Sequence, residues 1–159
     1  MLQTPLDVRC TPVRALMTEH PVTALGETPI VQIRRMMAER RIRHMPIVGT
    51  SGKPIGLIAE RDLLLRGDGA HKARAIDLLQ SFPVVRDDAC SASAARFMLL
   101  TKIDALLVCD DAGKLVGILT DADYLRAVVR GGHVGCGPGA TIQAVDPRHR
   151  TTVTSSPGS

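Results

Sequence analysis

The sequence predicts an α+β fold in which one β-α-β-β-α unit occurs twice, the copies packed by pseudo-twofold symmetry through their sheets. Three observations carry this. The phrase GLIAERD (residues 56–62) returns as GILTDAD (residues 117–123), and around it residues 42–65 lie over residues 103–126. Upstream the match continues with the offset longer by one: Leu16 meets Leu78, Pro21-Val22 meets Pro83-Val84, Arg34 meets Arg96 and Met36 meets Met98. In each copy a stretch of helical period precedes two β-rich runs, and such a repeat defines the architecture before any other feature.

The elements follow in order. A short apolar segment, VRALM or AIDLL, leads to a proline and a brief strand, PVTA or PVVR. TPIVQIRRMMAERR and CSASAARFMLLTK are helical, with Ile30, Ile33, Met36 and Met37, then Ala92, Ala95, Met98 and Leu99, at the spacing of one face. HMPIVG with PIGLIA, and ALLVCD with LVGILT, are strand pairs joined by turns containing SGK or AGK. A final helix begins at Glu60 or Asp121. One unit of about 55 residues is marginal alone, whereas two packed together share a core. The expected divisions are a lead-in over 1–12, units over 13–66 and 74–130, a linker over 67–73, and a mobile Gly/Ser/Thr-rich tail over 131–159. Within the tail, ATIQAV could add a short strand or pack against a partner. GCGPG lacks the GK[ST] and the preceding strand of a phosphate loop.

Composition narrows the function. No apolar run in the 159 residues approaches the roughly 18 needed to span a bilayer, and the N-terminus lacks the apolar core of a signal peptide. The expectation is a cytoplasmic protein. Cys10, Cys90, Cys109 and Cys136 form no CxxC pair, which argues against a zinc site and against a disulfide framework. The five histidines show no metal-ligand spacing, so no metal is expected. Net charge is +4, which favours anionic partners. With only Phe82, Phe97 and Tyr124 as aromatics, however, the chain cannot interleave bases with stacking rings, and nucleic acid is not an expected partner. The basic run Arg34, Arg35, Arg40, Arg41 and Arg43 reads as a solvated helix face, Arg43 excepted. No nucleophile–base pair or paired carboxylates suggest catalysis, so no catalytic residue and no enzyme activity are expected.

LMTEHPVTA, IRHMPIV, the two glycine–aspartate phrases and the duplication itself resemble a tandem pair of cystathionine-β-synthase (CBS) motifs, a Bateman module. The resemblance covers roughly residues 10 to 130. It implies a regulatory module that dimerises into a disc and binds AMP, ADP, ATP or S-adenosylmethionine between the motifs. No other cofactor is implied, and the regulated protein is unknown.

The residues allow two readings of GILTDAD. Thr120 stands where strand becomes helix, with Asp123 one turn in. A carboxylate there can accept both hydroxyls of a ribose, and the threonine and helix-start N–H groups suit a ribose or phosphate oxygen. The same outline, Thr-x-x-acid, is a helix capping box. The first copy has Ala59 for Thr120. Its Asp62 therefore marks a weaker second cleft, or is only a helix-start acid. By the resemblance, the better cleft is built from Thr120, Asp123, Ile118, Met17, His20, Val22, Ile42 and Arg43, with the apolar members against an adenine. The weaker one would use Asp62, Ala59, His44, Val84, Ile103 and Asp104. Asp104 stands where the family often has a cation and could repel a polyphosphate, which favours AMP over ATP. A ligand-free scaffold acting through protein–protein contact is the alternative function.

Overall fold

The computed structural model describes residues 10–66, 72–131, 143–145 and 152–154. A 3-10 turn at Val13–Ala15 and a two-residue strand β1 (Thr18–Glu19) open the chain. The first unit is β2 (Ala24–Leu25), α1 (Ile30–Arg40), β3 (His44–Val48), β4 (Pro54–Ala59) and α2 (Glu60–Leu65). After a second 3-10 turn, Ala75–Leu78, the other unit is β5 (Phe82–Arg86), α3 (Ser91–Thr101), β6 (Ala105–Cys109), β7 (Leu115–Thr120) and α4 (Asp121–Val129). In each unit the first strand runs parallel to the second, which pairs antiparallel with the third. The expected β-α-β-β-α order thus appears twice.

The repeat reaches into backbone detail. The register breaks at Ile47/Val48 in one hairpin and at Val108/Cys109 in the other. The helices α1 and α3 both end on a left-handed non-glycine residue, Arg41 and Lys102. The hairpin turns each place a glycine at positive φ, Gly52 at 76° and Gly113 at 77°, where a Cβ would be strained.

The lead-in segments, by contrast, are exchanged. Val13 is fully buried in the core of the second unit with Val85, Leu106, Val108 and Leu119, and Leu16 and Met17 pack against the same cluster. Reciprocally Ala75, Leu78 and Leu79 are buried in the first unit's core with Ile33, Met45, Ile47 and Ile58. Two glycines receive the crossing side chains: a Cβ on Gly117 would overlap Met17, and one on Gly56 would overlap Leu79. β1 then pairs antiparallel with β7 of the second unit, Thr18 opposite Ile118. A third cluster, Phe82, Ala105, Leu107 and Ile118 with Leu57 of β4 packed against it, joins the two sheets. Each such side chain removed from water contributes about 1.5–3 kcal/mol.

Two expectations need correction and one is met. The apolar face of α3 is turned: Ser91, Ala94 and Met98 are buried, whereas Leu99 is 81% exposed. In the tail, β8 (Gln143–Val145) pairs antiparallel with β5, and β9 (Thr152–Thr154) with β8, so ATIQAV does supply a strand; the rest of the tail, and most of the linker, lies outside the described residues. Finally, Cys10 and Cys90 form a disulfide across 80 positions of sequence, their Cα atoms 5.5 Å apart. Spacing alone does not reveal it, because the lead-in is brought there by long-range bonds, Val13 N–H to Ala89 C=O at 2.8 Å and Ser91 N–H to Thr11 C=O at 2.9 Å. Cys109 is a buried thiol, pushed up to about 12 by burial and by the charge of Asp110.

Closing so long a loop should stabilise by about 2–4 kcal/mol; urea denaturation with and without reductant, and of Cys90→Ser, should show that loss. Gly117→Ala should cost about 1–3 kcal/mol through overpacking against Met17. Adding Met17→Ala should recover part of the loss, giving a non-additive double-mutant cycle of about 0.5 kcal/mol or more.

Candidate functional site

A cavity of about 280 Å³ opens at the seam of the two units. The crossing lead-in lines it with Thr18, His20, Pro21 and Val22. The end of α1 and the start of β3 add Arg41, Ile42, Arg43 and His44, and β7 with α4 adds Ile118, Thr120, Ala122 and Arg126. The pairing of β1 with β7 creates this wall, and it is extended by the His20 N–H bonded to the Val116 carbonyl at 3.2 Å. Two of its residues, His20 (φ 47°) and Arg41 (φ 53°), hold a left-handed backbone. Such conformations cost of order 1 kcal/mol or more and gather at binding sites. Arg41, Arg43 and Arg126 make the lining cationic, and among the described residues no carboxylate borders the cavity. Outside it, Arg43 stands 3.7 Å from Asp121.

Of the residues expected at the better cleft, His20, Val22, Ile42, Arg43, Ile118 and Thr120 are brought together here. Met17 and Asp123 are not. Met17 is held over Gly117, and Met17 and Asp123 border an adjoining depression that shares Thr18 and Arg126 with the cavity. Asp123 is buried, and its carboxylate is fully engaged. One oxygen accepts the Thr18 hydroxyl at 3.0 Å and the Arg126 guanidinium; the other accepts the Thr120 N–H and hydroxyl, both at 2.8 Å. The capping box is therefore formed. It fixes the start of α4, and such caps are worth about 0.5–2 kcal/mol.

The second cleft is smaller, about 120 Å³, and lies where Asp62, Ala59, His44, Ile103 and Asp104 meet Gln80, Ser81 and Pro83. Val84 belongs instead to the cluster between the sheets. His44 Nε2 and Asp104 Oδ1, 3.1 Å apart, tie the units across this cleft. Burial pushes the Asp104 carboxyl up, but the charge and hydrogen bond of His44 and a backbone N–H outweigh it, holding it below the ordinary carboxylate range. Asp104 therefore faces the smaller cleft and not the cationic cavity. The repulsion expected from its sequence position does not act at the Thr120 site. With Ala59 at its N-cap, α2 has no side-chain cap.

Sequence reasoning missed Thr18, Arg41 and Arg126. Arg126 had a local signal, its place one helical turn beyond Asp123 (i, i+3). Thr18 and Arg41 had none, since a two-residue strand and a left-handed helix end place them.

Residues 13–68 and 91–130 match the CBS domain family. Inosine-5'-monophosphate dehydrogenase of Mycobacterium tuberculosis is 30% identical over 112 residues, which are 69% of this chain and 21% of the dehydrogenase. The chain thus spans about a fifth of the length of these curated relatives. The crystal structure of CBSX2 in complex with AMP is similar with a TM-score of 0.66 and 28% identity, over 75% of this chain and 96% of that one. The CBS domain pair of protein MJ0100, in complex with 5'-methylthioadenosine and S-adenosyl-L-methionine, has a TM-score of 0.66 and 25% identity, over 74% and 99%. With more than half of its residues matched and its two units arranged as in these pairs, the chain belongs to the CBS domain family as a tandem module.

Proposed function

We propose that this module senses an adenosine phosphate, AMP above all, in the cavity between its two motifs, and thereby alters the geometry of a dimer or a regulated partner. The observation that carries the reading is the cavity itself, walled by both motifs and lined, among the described residues, with three arginines and no carboxylate. Its volume is at the lower edge of small-molecule pockets, about 300–1,000 Å³. Val22, Ile42 and Ile118 offer aliphatic surface to an adenine. Thr120 and Asp123 would hold the ribose, and His20, Arg41 and Arg43 face where phosphates would lie. ADP and ATP are compatible with that charge. S-adenosylmethionine, with its sulfonium cation, is disfavoured by the same arginines, although the MJ0100 pair carries it. The ligand shifts any equilibrium only by its difference in affinity for the two states. Catalysis forms no part of the proposal.

The exposed apolar residues support a homodimer. Among the described residues Leu64 and Leu65 on α2, Leu99 and Leu100 on α3, and Leu125, Val128 and Val129 on α4 are 64–86% exposed. A groove of about 660 Å³ between α3 and α4, lined with Met98, Leu99, Tyr124 and Leu125, would seat the second copy. A ligand-free scaffold is the second reading, favoured by the engaged Asp123 carboxylate and by the His44–Asp104 contact across the smaller cleft.

Calorimetric titration should find about one AMP per chain, and Thr120→Val should weaken it several-fold to about tenfold through one lost hydrogen bond. S-adenosylmethionine should bind more weakly than AMP. The absence of heat with every adenine nucleotide would decide for the scaffold. Leu99→Glu with Leu125→Glu should give a monomer in sedimentation equilibrium where the parent chain is a dimer, and an unchanged dimer would contradict the proposed interface.

A further inference from the structure

We infer that Arg126 sets the ligand class of the cleft: its guanidinium leaves Asp123 for the ligand's phosphate on binding, so that nucleotides are accepted and nucleosides rejected. This rests on the proposed binding of an adenosine ligand and goes beyond it.

The inference follows from the state of the Asp123 carboxylate. An ionised carboxylate offers about four lone-pair sites, and four donors already fill them: the Thr18 hydroxyl, the Arg126 guanidinium, and the Thr120 N–H and hydroxyl. A ribose diol can be accepted only if existing donors withdraw. The Thr120 N–H is fixed by the backbone at the start of α4. The two hydroxyls can rotate their protons but remain beside the carboxylate. Arg126 is different: its side chain is 56% exposed, against 1% for Asp123, it sits on a long flexible stem, and it borders both the cavity and the depression behind Asp123. It is the donor that can leave.

Where it goes decides the specificity. A guanidinium released into the cavity joins Arg41 and Arg43; among the described residues no carboxylate lines that space, and the nearby Asp121 already stands 3.7 Å from Arg43. A neutral nucleoside gains Asp123 at the expense of an ion pair and leaves the Arg126 guanidinium without a counter-ion in a lining that already holds Arg41 and Arg43. A nucleotide brings the missing anion, and guanidinium pairs with phosphate through two parallel N–H···O bonds. The same residue therefore opposes ribose alone and assists ribose carrying phosphate. Asp123, for its part, keeps the Thr18 and Thr120 donors, and a ribose hydroxyl takes the lone-pair site that the guanidinium vacates.

The test compares adenosine and AMP by calorimetry on the full chain and on Arg126→Gln and Arg126→Lys. The parent protein should prefer AMP strongly. Arg126→Gln should bind adenosine at least as tightly as the parent does, while AMP weakens roughly 10- to 100-fold, the value of one charge-assisted contact. The preference then collapses from both sides. Arg126→Lys, which keeps a cation on a flexible stem, should restore part of it. A merely structural role would weaken both ligands by the same factor, and that outcome, or an unchanged AMP-to-adenosine ratio, overturns the inference while leaving AMP sensing intact. Failure of the parent protein to bind either ligand overturns the proposed function and this inference together. Thermal melts of the ligand-free variants show that the comparison is between folded proteins: Arg126→Gln, which takes the cation from a buried carboxylate, should melt below the parent, and Arg126→Lys nearer to it.

Discussion

The seating of Met17 over Gly117, mirrored by Leu79 over Gly56, is the constraint on which the rest of this fold depends. Each crossing side chain fits only because the strand beneath it has no Cβ. Once seated, it draws a whole lead-in onto the other motif's sheet. Val13 and Leu16 follow Met17 into one core, and Ala75 and Leu78 follow into the other. The route of the chain from Met17 to Val22 is thereby fixed: β1 must lie beside β7, with His20 beside Val116 and Pro21 and Val22 beyond it on the cavity wall. The cavity is a product of that crossing. Its walls come from segments far apart in sequence because the packing, and not the local chain, brings them together.

The two clefts differ in how the helix behind each one begins. In the second motif, Thr120 and Asp123 close a capping box, and the helix behind it runs for nine residues. In the first, Ala59 provides no hydroxyl, no side chain caps the helix, and the helix runs for six. The threonine thus has a structural role whatever binds there. In the proposed function the ligand draws on the hydrogen-bonding groups that cap the helix, so the two readings of GILTDAD are compatible. In this structure the carboxylate caps the helix.

How far the sequence could be read follows from what each signal reports. Period and repetition revealed the order of elements, the helix ends and the glycine turns, since these depend on local chemistry duplicated at a fixed offset. Periodicity says that VRALM is buried; it cannot say against which sheet, and the segment lies on the opposite motif from the one it introduces. On α3, small and apolar residues cover nearly the whole helix, so Ala92 and Ala95 were as plausible inward as Ser91 and Ala94. The Cys10–Cys90 bridge and the His44–Asp104 contact depend on packing between the copies, which no within-copy pattern encodes. At the cleft, the residues adjacent in sequence to the repeated phrases were legible. Thr18 and Arg41, delivered by a two-residue strand and a left-handed cap, were not.

The exchange of lead-ins also bears on what counts as a unit here. Neither motif is a domain in the autonomous sense, for each lacks a piece of its interior that the other holds. If the chain were severed between the copies, each fragment would carry an unfilled groove over its glycine and, beside it, an apolar arm with nowhere to lie. Mixed, the two would be complementary parts of one body, able to reassemble only by taking up each other's arms. The molecule is bound together less like two beads on a string than like two hands clasped by the fingers.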